Sequence, residues 1–146
     1  MGNLIEDIIV TPLKKIGGDK GMVLHALKND EPSFKSFGEA YLSTVDFNAV
    51  KGWKRHKKMI CNLIVVSGAV EFVIYDDRPS STTQGRIFNI TLSVDNNYCR
   101  LTIPNNLWFA FKGVGNHNII LNIASIMHDT NEHEVILPDN FHFYKF

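Results

Sequence analysis

Short apolar or alternating segments, separated by turn residues, follow one another along the chain. Segments of about four to eight residues that are rich in Val, Ile, Phe and Thr are typical of β-strands. No stretch carries the i, i+3, i+4 apolar spacing of a long amphipathic helix. The pattern predicts roughly nine strands, at residues 3–10, 22–27, 38–45, 61–66, 69–75, 87–94, 98–103, 107–111 and 118–126.

Two pairs of these segments are joined by short turns. The predicted hairpins span residues 61–75, with a turn at Ser67-Gly68, and residues 87–103, with a turn at residues 95–97. Gly, Asn and Asp tolerate the left-handed backbone that tight turns require. Short strands that recur at regular intervals indicate an all-β sandwich or barrel. We therefore expect residues 1–146 to form one domain with a double-sheet jelly-roll fold.

Composition and charge narrow the class of protein. The chain is 45% hydrophobic and 21% charged, which is typical of a packed domain and not of a disordered segment. Fifteen basic residues balance fifteen acidic ones, so neither a nucleic-acid partner nor a membrane partner is expected. No signal peptide or membrane span is indicated. Cys61 and Cys99 lack the spacing of zinc ligands, and we expect free thiols in a cytoplasmic protein.

The basic stretch at residues 51–58 stands out in a neutral protein. Five of its eight residues are Lys or Arg, and His56 lies among them. In an extended strand, Lys54 and His56 share one face, whereas Arg55 lies on the other face. The stretch is either an edge strand kept soluble by its charges or an anion site that holds a phosphorylated ligand.

Two motifs in this part of the chain resemble cupins. Gly52-x-x-x-His56, with the apolar strand that follows it, resembles the first cupin motif, and residues 103–109 resemble the second. The resemblance implies a double-stranded β-helix, which is the cupin jelly roll. Metal-binding cupins have histidines where this chain has Lys54 and Phe109. A single remaining imidazole beside an ammonium group is a poor site for a divalent ion, so we expect no metal and no cofactor.

A longer pattern resembles a metal-free branch of the cupins. Residues 76–85 read D-x-R-x-x-S-x-T-x-G, a segment that resembles the dTDP-4-dehydrorhamnose 3,5-epimerases. Residues 52–57 are similar to the G-F-H-x-H-K run of the nucleotide-sugar 3,4-ketoisomerases. These resemblances imply an isomerase or epimerase of a nucleotide-linked 4-keto-6-deoxy sugar, in the biosynthesis of surface polysaccharides such as lipopolysaccharide. In this comparison, the aspartate that pairs with the epimerase's catalytic histidine falls beyond the end of the chain.

The reaction that this resemblance implies requires three kinds of group. A base must remove the proton next to the C4 ketone, and His56 is suited to this role because histidine titrates near neutral pH. A donor must stabilise the enolate oxygen, for which Lys54 and Asn62 are the candidates. An acid must return a proton, and Tyr41 falls where the ketoisomerases keep a tyrosine near the sugar.

The remaining candidates concern the binding of a nucleotide-diphosphate sugar. Lys51 and Arg55 are suited to the diphosphate, as a point charge and as a bidentate fork respectively. Trp53 is predicted to stack on the nucleotide base. Glu39 falls where the epimerases have the glutamine of a Q-x-N-x-S segment, and it is assigned to substrate binding by that resemblance.

Two further expectations concern activity and assembly. The chain could instead be a catalytically silent cupin that binds a nucleotide sugar without transforming it. The resemblance also implies a homodimer, and the apolar run at residues 4–10 is the predicted strand for pairing or exchange between copies.

Overall fold

The computed structural model describes residues 4–146 and consists almost entirely of β-strands and their connections. A 3₁₀ turn at Pro138–Asn140 is the helical element of the described chain. The strands are β1 (Ile9–Pro12), β2 (Lys15–Gly18), β3 (Gly21–Leu24), β4 (Glu39–Asp46), β5 (Val50–His56), β6 (Cys61–Ser67), β7 (Ala69–Tyr75), β8 (Ile87–Ser93), β9 (Cys99–Ile103), β10 (Trp108–Gly113), β11 (His117–Ala124) and β12 (His133–Val135).

Ten of these strands form two five-stranded antiparallel sheets. Sheet one has the order β1-β9-β6-β11-β4, and sheet two has the order β12-β5-β10-β7-β8. The strands β2 and β3 form a separate two-stranded ribbon. Inward-facing apolar side chains from both sheets, such as Leu63 and Leu101 of sheet one and Phe72 and Ile74 of sheet two, belong to one buried core. The prediction of an all-β jelly roll is confirmed.

The predicted hairpins are wrong in their pairing, although their turns are correctly placed. Strands β6 and β7 lie in different sheets, as do β8 and β9. The Ser67-Gly68 turn is therefore a corner between the sheets. Gly68 has φ +76°, and a Cβ there would lie 2.3 Å from the Oδ1 atom of Asn118. Turn residues indicate a reversal of direction, but they do not indicate which sheet the next strand joins.

The beginning of the chain also differs from the prediction of a strand at residues 3–10. Residue 3 lies outside the described residues, and Ile5 and Ile8 are buried in the core around a turn. The strand starts only at Ile9 and pairs with β9 of the same chain. In the described part of the chain, no helix has the length and apolar character needed to span a bilayer.

Candidate active site

A cavity of about 270 Å³ lies between the two sheets and borders the core. Strands β4, β6 and β11 of sheet one and strands β5 and β10 of sheet two contribute its lining. The apolar part of the lining consists of Leu63, Phe109, Phe111 and Ile120. The polar part consists of Tyr41, Ser43, Lys51, Lys54, His56 and Asn122. Four of the eight candidate residues, Tyr41, Lys51, Lys54 and His56, thus meet in one cavity.

An irregularity in β5 brings Lys51 into this group. Lys54 pairs with Phe109, but the next residue of β10, Ala110, pairs with Gly52, so Trp53 is an extra residue in a bulge. Strict alternation would place Lys51 on the same face as Trp53. The bulge resets the alternation, so both Lys51 and Lys54 line the cavity. Gly52 has φ +119°, and a Cβ there would lie 2.9 Å from Ala110, so the bulge requires glycine.

His56 is held by a buried carboxylate that the sequence comparison did not reveal. The Nδ1 atom of His56 donates a hydrogen bond to Oε1 of Glu132, and both side chains are only 4% exposed. The other oxygen of Glu132 accepts the backbone N–H groups of Lys58 and Met59, at 3.1 and 3.2 Å. A carboxylate can only accept, so the proton of a neutral His56 sits on Nδ1 and leaves Nε2 as a base.

The surroundings of this pair favour a neutral imidazole and an ionised carboxylate. Burial lowers the pKa of His56 below its ordinary value, and the nearby Lys54 lowers it further, although Glu132 acts in the opposite direction. Burial alone would raise the pKa of Glu132, but the hydrogen bonds from His56, Lys58 and Met59 lower it overall. His56 is therefore available as a base at neutral pH.

Tyr41 occupies the opposite wall of the cavity, on β4 of sheet one. Its hydroxyl accepts a hydrogen bond of 2.9 Å from the Nδ2 atom of Asn122, which lies opposite it on β11. Burial raises the pKa of Tyr41, so the phenol keeps its proton at neutral pH. Asn122 was not identified from the sequence, because an isolated asparagine within an apolar strand gives no motif.

Lys51 connects the two sheets at the cavity. Its Nζ atom donates to the hydroxyl of Ser43 at 3.2 Å and to the carbonyl of Thr44 at 3.0 Å, both on β4. The same ammonium lies 5.9 Å from the centre of the Phe111 ring. Lys54 is half-buried beside it on the bulged strand. The cavity is therefore lined by two cationic side chains as well as by His56.

Arg55 and Trp53 lie on the outer face of sheet two, away from the cavity. The Arg55 guanidinium forms ion pairs with Asp77 and Glu134 and lies 4.6 Å from the Trp108 ring. The Trp53 indole has no exposed surface and stacks on Phe141 at 3.9 Å. The structure corrects both assignments. The Arg55 guanidinium already pairs with two carboxylates, and the buried Trp53 ring has no free face on which a nucleotide base could stack.

Asn62 and Glu39 also fall outside the cavity lining. Leu63 faces the cavity, so its neighbour Asn62 points to the outer face of sheet one, where its amide contacts Ser33 and Thr102. Glu39 lies beyond the edge of the cavity and accepts the backbone N–H of His128 at 2.8 Å. Both side chains form hydrogen bonds within the protein, outside the cavity.

The donor set does not fit a metal ion. Lys54 and Phe109, which stand at two of the positions where metal-binding cupins have histidine, supply no ligand. Across residues 4–146 there is no group of three or more His, Cys, Asp or Glu side chains placed to hold an ion.

The fold and the position of the cavity define the protein as a cupin of the type found in nucleotide-sugar epimerases and isomerases. The chain belongs to the FdtA family, described as WxcM-like, C-terminal, which matches residues 6–142.

Similar proteins and structures agree with this assignment. A dTDP sugar isomerase from Desulfovibrio desulfuricans G20 is 36% identical, with a TM-score of 0.89, over 92% of this chain and 87% of that one. Agl13 of Haloferax volcanii, named a probable low-salt glycan biosynthesis epimerase, is 26% identical over 86% of this chain and 81% of its own length. NovW, a 4-keto-6-deoxy sugar epimerase from Streptomyces spheroides, shares the fold, with a TM-score of 0.84 at 18% identity over 94% of this chain and 72% of that one.

Proposed function

We propose that the protein is an isomerase or epimerase that acts on a nucleotide-linked 4-keto-6-deoxy sugar in the biosynthesis of a surface polysaccharide. The observation that carries this proposal is the His56–Glu132 pair, which presents a neutral imidazole to a cationic cavity between the sheets. Such a group is suited to removing a proton next to a ketone. The family and its relatives named above support the substrate class.

The cavity residues account for each step of an enolisation. Nε2 of His56 removes the proton from the carbon next to the C4 ketone. The electron pair of that C–H bond forms a double bond to C4, and the π pair of the C4 carbonyl moves onto its oxygen. The Lys54 ammonium stabilises the resulting enolate, because a fixed charge in a water-poor cavity acts strongly on developing charge. The Tyr41 hydroxyl donates a proton from the opposite wall.

Two products follow from the same enolate. Return of a proton from the side opposite His56 inverts the carbon, which is an epimerisation. Transfer of the C3 hydroxyl proton to the C4 oxygen, followed by protonation of C4, moves the ketone to C3, which is an isomerisation. Both reactions begin with proton removal by His56 and stabilisation of the enolate by Lys54, so the first test addresses this shared step.

Binding of the substrate is assigned to the cationic side of the cavity. Lys51 is the candidate for the diphosphate, because its ammonium lies at the edge of the cavity between β4 and β5. The structures of two relatives support a ligand of this kind: ChmJ from Streptomyces bikiniensis is in complex with dTDP-quinovose, and QdtA from Thermoanaerobacterium thermosaccharolyticum is in complex with TDP-4-keto-6-deoxyglucose.

The test is solvent exchange. The protein is incubated with dTDP-4-keto-6-deoxyglucose in deuterated water, and deuterium at C3 or C5 of the sugar is measured by NMR. The expected result is incorporation that depends on the protein and is lost in His56→Asn. Binding of the nucleotide sugar without any incorporation would show a silent binding protein and overturn the proposed activity.

We also propose that the protein works as a homodimer. The β2–β3 ribbon projects large apolar side chains, Ile16, Met22 and Val23, that are more than half exposed. A second copy that covers them would remove this surface from water. Sedimentation at micromolar concentration tests the assembly, and a monomer would contradict it.

A further inference from the structure

The C-terminal segment is bound along the outer edge of β5 from Trp53 to His56, the end of the strand that carries His56. The Lys57 N–H donates to the Glu132 carbonyl at 2.7 Å, and β12 continues the pairing with His133 opposite His56. Beyond β12, Trp53 and Ile136 exchange two backbone hydrogen bonds, of 2.8 and 2.9 Å. Glu132 therefore stands at the first point where this segment meets β5, directly beside the base.

Phe141 holds the far end of the same segment. After the 3₁₀ turn at Pro138–Asn140, its ring lies flat on Trp53, with an interplanar angle of 9° and a centroid distance of 3.9 Å. The rings of Tyr75 and Trp108 approach its edge, each at 5.9 Å. Phe141 is 2% exposed, whereas the nearby Phe143 is 60% exposed. Phe143 also stacks on Tyr75, at 4.5 Å, but it is the Phe141 ring that the tail buries against Trp53.

The partner of this ring is the bulge residue of β5. The Trp53 side chain projects from the outer face of sheet two, and the bulge at this residue allows both Lys51 and Lys54 to line the cavity. A three-residue edge strand such as β12 has exposed hydrogen bonds and little apolar burial of its own. Aromatic stacking and burial at Phe141 supply the apolar stabilisation that β12 lacks.

We propose that Phe141 is a positioning residue for His56: by packing on Trp53 it holds the C-terminal segment along β5, and thereby keeps Glu132 against the imidazole. The inference rests on the proposed function for its effect on catalysis. Its structural part, the dependence of the His56–Glu132 contact on Phe141, can be measured without any substrate.

The test compares Phe141→Ala with Phe143→Ala in the full-length protein. An imidazole N–H held by a buried carboxylate gives a downfield proton resonance that is protected from exchange with water, and Glu132→Gln assigns this resonance. We expect wild type and Phe143→Ala to show it and Phe141→Ala to lose it. We expect kcat for deuterium exchange into dTDP-4-keto-6-deoxyglucose to fall about 10²-fold in Phe141→Ala, the scale for a misplaced catalytic group, with a smaller change in KM. Phe141→Tyr, which keeps the aromatic ring, should retain both the resonance and the kcat of wild type.

Each outcome decides the inference. A folded Phe141→Ala variant that keeps either the resonance or the wild-type kcat overturns it, because the contact and the rate must be lost together. If circular dichroism shows that Phe141→Ala is unfolded, Phe141→Leu, which keeps an apolar side chain without the ring face, replaces it under the same criteria. If wild type exchanges no substrate protons, the proposed function fails, and the resonance alone then decides whether Phe141 positions Glu132.

Discussion

The carboxylate of Glu132 contacts Nδ1 of His56 although the two residues are 76 positions apart in the chain. The contact is buried on both sides, and two backbone N–H groups complete the hydrogen bonding of the carboxylate. A histidine arranged in this way has a fixed ring orientation and a fixed tautomer. In the sequence comparison, the partner aspartate of the epimerases falls beyond the end of the chain; in the structure, a glutamate ahead of β12 contacts His56.

His56→Asn should abolish most of the proton exchange while the fold and ligand binding are retained. Base catalysis contributes about 10²–10⁴-fold, so the rate of deuterium incorporation should fall by that factor. Lys57→Ala is the matched control, because Lys57 is the next residue and is exposed outside the cavity. An unchanged exchange rate in His56→Asn would show that another group is the base.

Glu132→Gln should change the pH dependence as well as the rate. The base is active when neutral, and burial lowers the pKa of His56, so the acid limb of kcat/KM in wild type should lie below about pH 6.5. Glu132 acts to raise that pKa, so its replacement should move the limb to still lower pH. The plateau should fall by about 10²–10⁴-fold, because the tautomer is no longer fixed. A limb at the wild-type position would contradict the assigned contact.

Lys51→Ala should weaken substrate binding more than it slows chemistry. We expect KM to rise about tenfold, which corresponds to the loss of one charge-assisted hydrogen bond to a diphosphate, with little change in kcat. Lys58→Ala is the control, since Lys58 belongs to the same basic stretch as Lys51 but does not line the cavity. Equal effects of the two variants on KM would mean that overall charge, and not position, governs binding.

Gly68→Ala should destabilise the protein more than Gly85→Ala. Both glycines have a positive φ, of +76° and +84°, but only at Gly68 would a Cβ meet close neighbours. The backbone penalty of about 1–2 kcal/mol applies to both variants. Overpacking against the start of β11 should add about 1–3 kcal/mol at Gly68. Urea denaturation measures the difference, and equal losses would contradict the corner packing.

Chelators should leave the activity unchanged. In the cavity lining, His56 supplies the imidazole, whereas Lys54 and Phe109 stand where metal-binding cupins have further ligands. Exchange assays with and without EDTA, together with elemental analysis of the purified protein, measure this. One bound transition metal per chain, with activity lost on its removal, would overturn the expectation.

The sequence predicted the strands more reliably than their partners. Alternating apolar positions located most strands, because burial on one face imposes a period of two. The predicted hairpins failed, since the choice of sheet at the Gly68 corner depends on contacts with Asn118, whose hydrogen bond with Ala69 spans 49 positions of the chain. The ribbon of β2 and β3 was only partly anticipated, because its glycine-rich turn resembles a loop.

The candidate site was predicted where it depends on local alternation and missed where it depends on long-range pairing. His56 and Lys54 were placed on one face correctly from their spacing of two residues. Lys51 reaches the same face only through the bulge at Trp53, which has no signature in the sequence apart from a neighbouring glycine. Glu132 and Asn122 contact partners that are 76 and 81 positions away in the chain, and no local pattern reveals such contacts.

The passage of successive strands from one sheet to the other has a consequence for how the protein acquires its activity. Tyr41 and Asn122 are 81 positions apart and His56 and Glu132 are 76 apart, so each of these contacts closes a loop of more than half the chain. Proteins dominated by such distant contacts fold slowly, over about milliseconds to seconds. During synthesis, His56 gains its carboxylate partner only after Glu132 has left the ribosome. A chain interrupted before that residue would hold His56 without its partner.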